Sequence, residues 1–88
     1  MSAEEVRAKV VEQVRARMID EDMPITDESL LESDLALDLL DTVELIMDIE
    51  EELDIHFDEE AMDGMKTVGD VVKAAVEAAG KKEERSEH

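Results

Sequence analysis

The chain has 88 residues, enough for one small domain, and no cysteine, which excludes disulfides, thiolate metal sites and cysteine nucleophiles. Its 27 acidic and 9 basic residues give a formal net charge of -18, so its surface is expected to repel nucleic acids and anionic membranes. The lack of a long apolar run argues against a signal peptide or a membrane span. The lack of cysteine suits a cytoplasmic location, which is the location we expect.

The negative charge is concentrated in the middle of the chain. Residues 18–65 contain no lysine or arginine and hold 19 of the 27 acidic residues. Such a surface attracts proteins with basic patches and speeds their association. Acidity that serves only solubility is the alternative, and it is less favoured because crowded like charges destabilise a fold.

The first predicted element is a helix over roughly residues 3–18. Ser2 and Glu5 have the spacing of a capping box at its start. The apolar residues that follow recur at every fourth position, as expected of a buried helix face: Val6, Val10, Val14 and Met18. A long connection over residues 20–37 comes next, and its many apolar residues indicate a loop that packs onto the helices rather than a free linker.

A second helix is predicted to begin after Asp38, as its N-cap, and to run to about Leu53. Asp41 lies three residues after the cap, where a negative charge is favoured by the helix dipole. The apolar residues of this helix spread too widely for one buried stripe. Some of them should therefore be exposed, or should contact a partner or a ligand.

Two further helices complete the prediction. A short one is expected to begin at Asp58 and to stop near Gly64, and a last one to follow a capping pattern at residues 67–70 and to end at Gly80. The predicted fold is all-α, a bundle of three main helices and one short helix. It occupies residues 1–80, and residues 81–88 are expected to form a charged, disordered tail.

Arrangements that support catalysis or specific metal binding are not evident in the sequence. His56 has no serine or cysteine nucleophile nearby and is interpreted as a boundary residue. Asp20 and Asp22 are spaced like the first ligands of a calcium loop, but Pro24 and Ile25 stand where a ligand and a glycine are needed. The chain is therefore predicted to have no catalytic residues and no specific metal site, and not to be an enzyme.

Residues 34–45 carry the most specific motif of the chain. They strongly resemble the prosthetic-group region of acyl carrier proteins, where Asp-Leu-Gly-x-Asp-Ser-Leu-Asp is followed closely by Val-Glu-Leu. The resemblance continues through residues 46–55 and 65–70 and covers residues 3–80. It implies a four-helix bundle that carries acyl thioesters on a 4′-phosphopantetheine arm in fatty-acid or polyketide-type biosynthesis.

The resemblance also implies how such a domain is recognised. A phosphopantetheinyl transferase would attach the arm, and the second helix would dock onto basic patches of this transferase and of acyl-processing enzymes, with the chain acting as a monomer. The implied docking residues are Asp38, Asp41, Glu44, Ile46, Met47, Asp48, Glu50 and Glu51, with Ile46 as an apolar contact. The alternative interpretation is an ordinary solvated helix face.

One departure from the family pattern concerns the attachment position, where Leu39 stands in place of the serine. Leucine has no hydroxyl, and Ser29 and Ser33 lie earlier in the loop, outside the motif. The glycine position is also changed, to Ala36, which is expected only to tighten the turn. The chain as written is therefore expected not to accept the arm. Two hypotheses remain: an otherwise working carrier, or a non-acylated, carrier-like interaction module that binds a basic partner protein.

The family pattern also predicts the surroundings of the two leucines at the start of the second helix. Leu40 is expected to face the core. Leu39 is expected to lean towards an apolar cleft between the second and third helices, near Met62, and to be partly buried at its mouth.

Overall fold

Four helices make up most of the computed structural model, which describes residues 2–18 and 22–85. In chain order they are α1 (Ala3–Ala16), α2 (Leu39–Leu53), α3 (Glu59–Asp63) and α4 (Val68–Arg85). Within those described ranges there is no strand, and the only strand-like pairing is an isolated bridge between Leu30 and Thr67. The predicted all-α class, with three main helices and one short one, is confirmed.

The helices begin where short-range side-chain signals predict. The Ser2 hydroxyl accepts a hydrogen bond from the Glu5 N–H at 3.2 Å and caps α1. At α2 the Asp38 carboxylate accepts from the Asp41 N–H at 2.8 Å, while the Asp41 carboxylate accepts from the Asp38 N–H at 3.4 Å. This reciprocal capping box satisfies two backbone donors that no helical carbonyl reaches, and it fixes the first residue of α2 as Leu39.

The last helix is longer than the sequence predicts. We expected α4 to end at Gly80 and the charged tail to begin at residue 81, but the helix continues to Arg85. Gly80 has no positive φ and lies in open space, so it acts as an exposed helical residue rather than a left-handed cap. Residues 86–88 of the expected tail lie outside the described residues, as does Asp20 of the rejected calcium loop.

The core forms because α1 packs against both α2 and α4. α1 and α4 turn most of their predicted apolar residues inward, whereas α2 buries Leu45, Ile46, Ile49 and Leu53. The largest fully buried side chains include Phe57, the only aromatic residue of the chain, which follows α2. The others are Leu45, Ile49, Val6, Val10, Val14, Val68 and Val71.

The long first loop is held against the start of α4, which confirms that it is packed rather than free. The Leu31 N–H donates to the Lys66 carbonyl at 2.9 Å, and the Gly69 N–H donates to the Asp27 carbonyl at 2.9 Å. A Cβ on Gly69 would lie 2.9 Å from that same Asp27 oxygen, so only glycine permits this approach. The packed loop therefore fixes the position at which α2 begins.

The loop enters α2 through a strained residue, because Ala36 has a φ of 56°. The left-handed region costs a residue with a Cβ about 1–2 kcal/mol, and glycine avoids this. We therefore expect Ala36→Gly to stabilise the fold by about 1 kcal/mol, after allowing for the greater freedom of the unfolded chain. The measurement is the urea midpoint at unchanged m-value.

The control for this prediction is Ala8→Gly, in the regular helical backbone of α1. It should lose about 0.5–1 kcal/mol, because glycine there only adds conformational entropy to the unfolded state. A loss of stability at both positions would contradict the account of strain at Ala36.

Candidate functional site

The two leucines at the start of α2 both lie on the surface. Leu39 is 82% exposed and Leu40 is 66% exposed. The expectation that Leu40 faces the core is therefore wrong. The buried face of α2 is centred on Ile49, and at 3.6 residues per turn Leu40 points to the opposite side.

The surroundings of Leu39 also differ from the expectation. Leu39 borders a cleft of about 580 Å³ between the first loop and the segment before α4, and Met62 is not among the lining residues. The apolar lining residues are Leu30, Leu31, Ala36, Leu37, Leu39 and Met65, and the polar ones are Glu32, Ser33, Asp38, Thr42 and Lys66. With so little of its surface covered, Leu39 is not partly buried near Met62 as we expected.

The exposed apolar residues of α2 form one continuous strip. Its members are Leu39, Leu40, Val43 and Met47, which are between 45% and 82% exposed. Their spacing places them within about a quarter turn of one another along the helix. We call these four residues the apolar strip. Once the buried side chains of α2 are known, the helical period shows which side of the helix carries the apolar strip. The sequence alone does not show this, because apolar residues occur around too much of the helix.

Ile46 does not belong to this strip. It is only 5% exposed and is part of the core with Leu45 and Ile49. The prediction that Ile46 is an apolar docking contact is therefore wrong, because its side chain is not available to a partner. Met47, the other apolar residue of that set, is 60% exposed.

The acidic residues predicted for docking fall into two groups. Asp38 and Asp41 are engaged in the capping box, and the Glu50 carboxylate accepts the Phe57 N–H at 2.9 Å. These three therefore have structural tasks. The others flank the apolar strip on the outer side of α2: Glu44, Asp48 and Glu51.

His56, the predicted boundary residue, has 88% of its side chain exposed. Its Nδ1 lies 3.2 Å from Glu50 Oε2.

Arg17, just after α1, reaches two of these flanking carboxylates. Its Nη1 donates to Glu44 Oε2 at 3.0 Å, and its Nη2 donates to the Asp48 carboxylate. Burial by itself would lower the pKa of Arg17, but the hydrogen bonds to Asp48 and Glu44 outweigh it and raise the pKa above its usual range. The guanidinium therefore stays charged, and it joins α1 to the outer side of α2.

No group of three or more side chains suited to hold a metal ion occurs among the described residues. Over the same residues, no helix has the length and apolar character needed to cross a membrane. The site at the start of α2 is a surface of exposed apolar and acidic side chains beside the cleft.

The exposure of the two leucines leads to a stability prediction. Leu39→Ser and Leu40→Ser should each change the free energy of unfolding by less than about 1 kcal/mol, because neither removes a buried contact. Ile46→Ser should cost about 3 kcal/mol or more, since it leaves a cavity and a buried hydroxyl. Paired urea denaturation curves measure all three. A loss at Leu40 as large as that at Ile46 would contradict an orientation of α2 in which Leu40 is exposed and Ile46 is buried.

Comparison with known proteins identifies the family. The model of the family described as "Phosphopantetheine attachment site" matches residues 4–75. An acyl carrier protein of Prochlorococcus marinus (strain MIT 9515) is 44% identical over 73 residues, which are 83% of this chain and 91% of that protein. The solved structure of an acyl carrier protein from Enterococcus faecalis has a TM-score of 0.72 at 28% identity, over 89% of this chain and 99% of that one.

The family match covers nearly all of α1, the whole of α2 and α3 and the first half of α4, including the candidate site. Members of the family use 4′-phosphopantetheine as their prosthetic group and interact with acyl-processing enzymes. They are carriers and not enzymes, which confirms that expectation for this chain. The chain belongs to the acyl carrier protein family.

Proposed function

We propose that this domain docks through the start and outer side of α2 onto basic patches of enzymes that act on acyl carriers. We also propose that Leu39 stands at the attachment position, so that the chain as written carries no arm. The enzymes would be those of fatty-acid or polyketide-type biosynthesis, together with a phosphopantetheinyl transferase, and the location would be cytoplasmic.

The observation that carries this proposal is an apolar strip flanked by carboxylates. Exposed apolar side chains supply contact area that is desolvated on binding, and the flanking charges orient the approach of a basic partner. Glu44, Asp48 and Glu51 supply those charges on the same helix. A second copy of the chain is a poor partner for this surface because both copies carry a net charge of -18, which favours a monomer.

The arm itself does not fit this site as a covalent group. Its attachment requires a hydroxyl at the start of α2, and the Leu39 side chain contains only carbon and hydrogen. The nearest hydroxyl on the helix belongs to Thr42 and donates to the Asp38 carbonyl at 2.9 Å. Ser29 is buried and accepts the Thr26 N–H, and Ser33 lies in the loop six residues before Leu39.

A second function is favoured by the exposure of Leu39. The domain would then be an interaction module that has no use for an arm and binds a basic partner protein. In this alternative Leu39 is itself a contact residue, because it extends the apolar strip to the first residue of α2. Both functions require docking through α2, and they differ in whether restoring a serine restores arm attachment.

Docking is tested by the binding of the chain to an immobilised phosphopantetheinyl transferase, measured by surface plasmon resonance. The Glu51 side chain is exposed, and among the described residues it makes no hydrogen bond or ion pair. Glu51→Lys should therefore weaken binding by about tenfold, mainly through a slower on-rate, and added salt should reduce the difference. Asp41→Lys is a poorer probe because it also breaks the capping box.

The matched control is Glu77→Lys, which makes the same change of charge at an exposed position on α4. It should change the on-rate much less than Glu51→Lys does. Equal effects of the two variants would show that only net charge matters, and the assignment of the docking surface to α2 would be wrong. Absence of binding by the unaltered chain would overturn the proposal as a whole.

A further inference from the structure

Arg17 spans two carboxylates that the proposed docking surface would present to a partner. Glu44 and Asp48 lie one helical turn apart on α2, and the planar guanidinium donates to both. Only 20% of the Arg17 side chain is exposed, whereas about half of each carboxylate side chain is exposed. Arg17 therefore contacts the carboxylates of Glu44 and Asp48 from the side of α1, and their other side remains exposed to solvent.

Two ion pairs made by residues of α1 lie further from the apolar strip than Arg17 does. Lys9 pairs with Glu52, near the end of α2, and Arg7 pairs with Asp27 in the first loop. Arg7 lies ten residues before Arg17, which corresponds to about 15 Å along a helix. Arg17 is therefore the member of this set that neutralises charge beside the strip.

From this arrangement we infer that Arg17 is an internal competitor for the basic groups of a partner and limits how tightly the domain docks. The inference rests on the proposed docking through α2. Arg17 reduces the charge of the Arg17–Glu44–Asp48 group from -2 to -1, which weakens long-range attraction of a basic partner. It also occupies carboxylate oxygens that a partner's lysine or arginine would otherwise contact.

The consequence is selectivity for partners. Glu51 and the apolar strip remain available to any basic surface, whereas Glu44 and Asp48 become fully available only to a partner with enough positive charge to displace Arg17. The displacement is eased because Arg17 Nε is buried and has no hydrogen-bond partner among the described residues. An unsatisfied buried donor offsets part of what the two ion pairs contribute.

Arg17 also has a role in the fold, which explains why a residue that weakens docking is useful. Without a cation between them, Glu44 and Asp48 are like charges four residues apart on one helix, an arrangement that destabilises it. Arg17 therefore stabilises the junction of α1 and α2 in the free domain. The same contact limits docking until a basic group of a partner displaces Arg17 from the two carboxylates.

The test compares Arg17→Gln with Arg7→Gln in the unaltered chain, using the immobilised phosphopantetheinyl transferase described above. Both variants remove one positive charge, Arg7→Gln in the first half of α1 and Arg17→Gln just after its end. We expect Arg17→Gln to raise the on-rate by about threefold or more and to slow dissociation, with the gain lost at about 0.5 M salt. Arg7→Gln should give less than half of that gain.

A second variant and a second measurement guard against a folding defect in Arg17→Gln. Arg17→Met retains most of the apolar stem, and circular dichroism checks its fold. In the unaltered Arg17 background, Asp48→Asn should speed dissociation less than Glu51→Gln does, because Asp48 is already held by Arg17.

The outcomes separate this inference from the proposed function. If the unaltered chain binds and Arg17→Gln and Arg17→Met bind no better than Arg7→Gln, the inference is wrong and the docking surface stands. The inference would also be wrong if Asp48→Asn dissociated from the transferase as fast as Glu51→Gln does. If the unaltered chain shows no binding, the proposed function fails and the inference fails with it.

Discussion

Replacing Leu39 with serine should allow a phosphopantetheinyl transferase to modify the chain to completion with coenzyme A, whereas the unaltered chain should gain no arm. The side chain at this position is almost fully exposed, at the first residue of a capped helix. The unpaired N–H groups and the dipole of a helix N-terminus favour a phosphodiester there. Asp38, Leu40 and Asp41 already provide the flanking residues of the family motif. Intact-mass spectrometry of the incubated protein measures the gain of one arm.

The control for this prediction is Leu40→Ser, which places a hydroxyl on the neighbouring exposed residue. It should fold and remain unmodified, because the proposed attachment position is the residue directly after Asp38. Modification of Leu40→Ser would show that the attachment position is assigned one residue too early. Modification of neither variant would favour the interaction module over a carrier with a substituted serine.

The largest loss of stability is expected from Phe57→Ala. Phe57 is 1% exposed, and its N–H donates to the Glu50 carboxylate, which fixes the chain leaving α2. Truncation of a buried phenylalanine costs about 3–5 kcal/mol through lost contacts and the remaining cavity. A domain of this size has a total stability of about 4–13 kcal/mol, so the variant should be close to unfolding or partly unfolded at 25 °C. Urea denaturation followed by circular dichroism measures the loss.

Met47→Ala provides the comparison for Phe57→Ala, because it also removes a large apolar side chain of the same region. Met47 is 60% exposed, so its truncation should change stability by less than about 0.5 kcal/mol. Similar losses for the two variants would contradict the division of this region into a buried core and an exposed strip.

The sequence predicts those parts of the fold that depend on local signals. The caps at Ser2, Asp38 and Asp58 can be predicted because each capping side-chain oxygen accepts from a backbone N–H only three residues further along the chain. The buried face of α1 is readable because its apolar residues follow a single helical period. The length of α4 cannot be predicted in this way, because a glycine such as Gly80 ends a helix only where its backbone is left-handed.

The candidate site is predicted less completely because it depends on tertiary packing. The apolar pattern of α2 is wide enough for more than one buried face, so the burial of Ile46 and the exposure of Leu40 follow only from where α1 packs. The ion pairs of Arg17 with Glu44 and Asp48 join side chains 27 and 31 residues apart in sequence. No local pattern indicates such a contact. The motif indicated where the candidate site lies, whereas packing determines which of its side chains are exposed.

The claim that the armless chain still docks is tested most directly by competition. The Leu39→Ser variant serves as the substrate of a phosphopantetheinyl transferase, and the unaltered chain is added as an inhibitor. We predict competitive inhibition, with a rising apparent KM, an unchanged kcat and an inhibition constant within about threefold of the KM for the substrate. Full activity in the presence of the unaltered chain at about ten times that KM would contradict docking through α2.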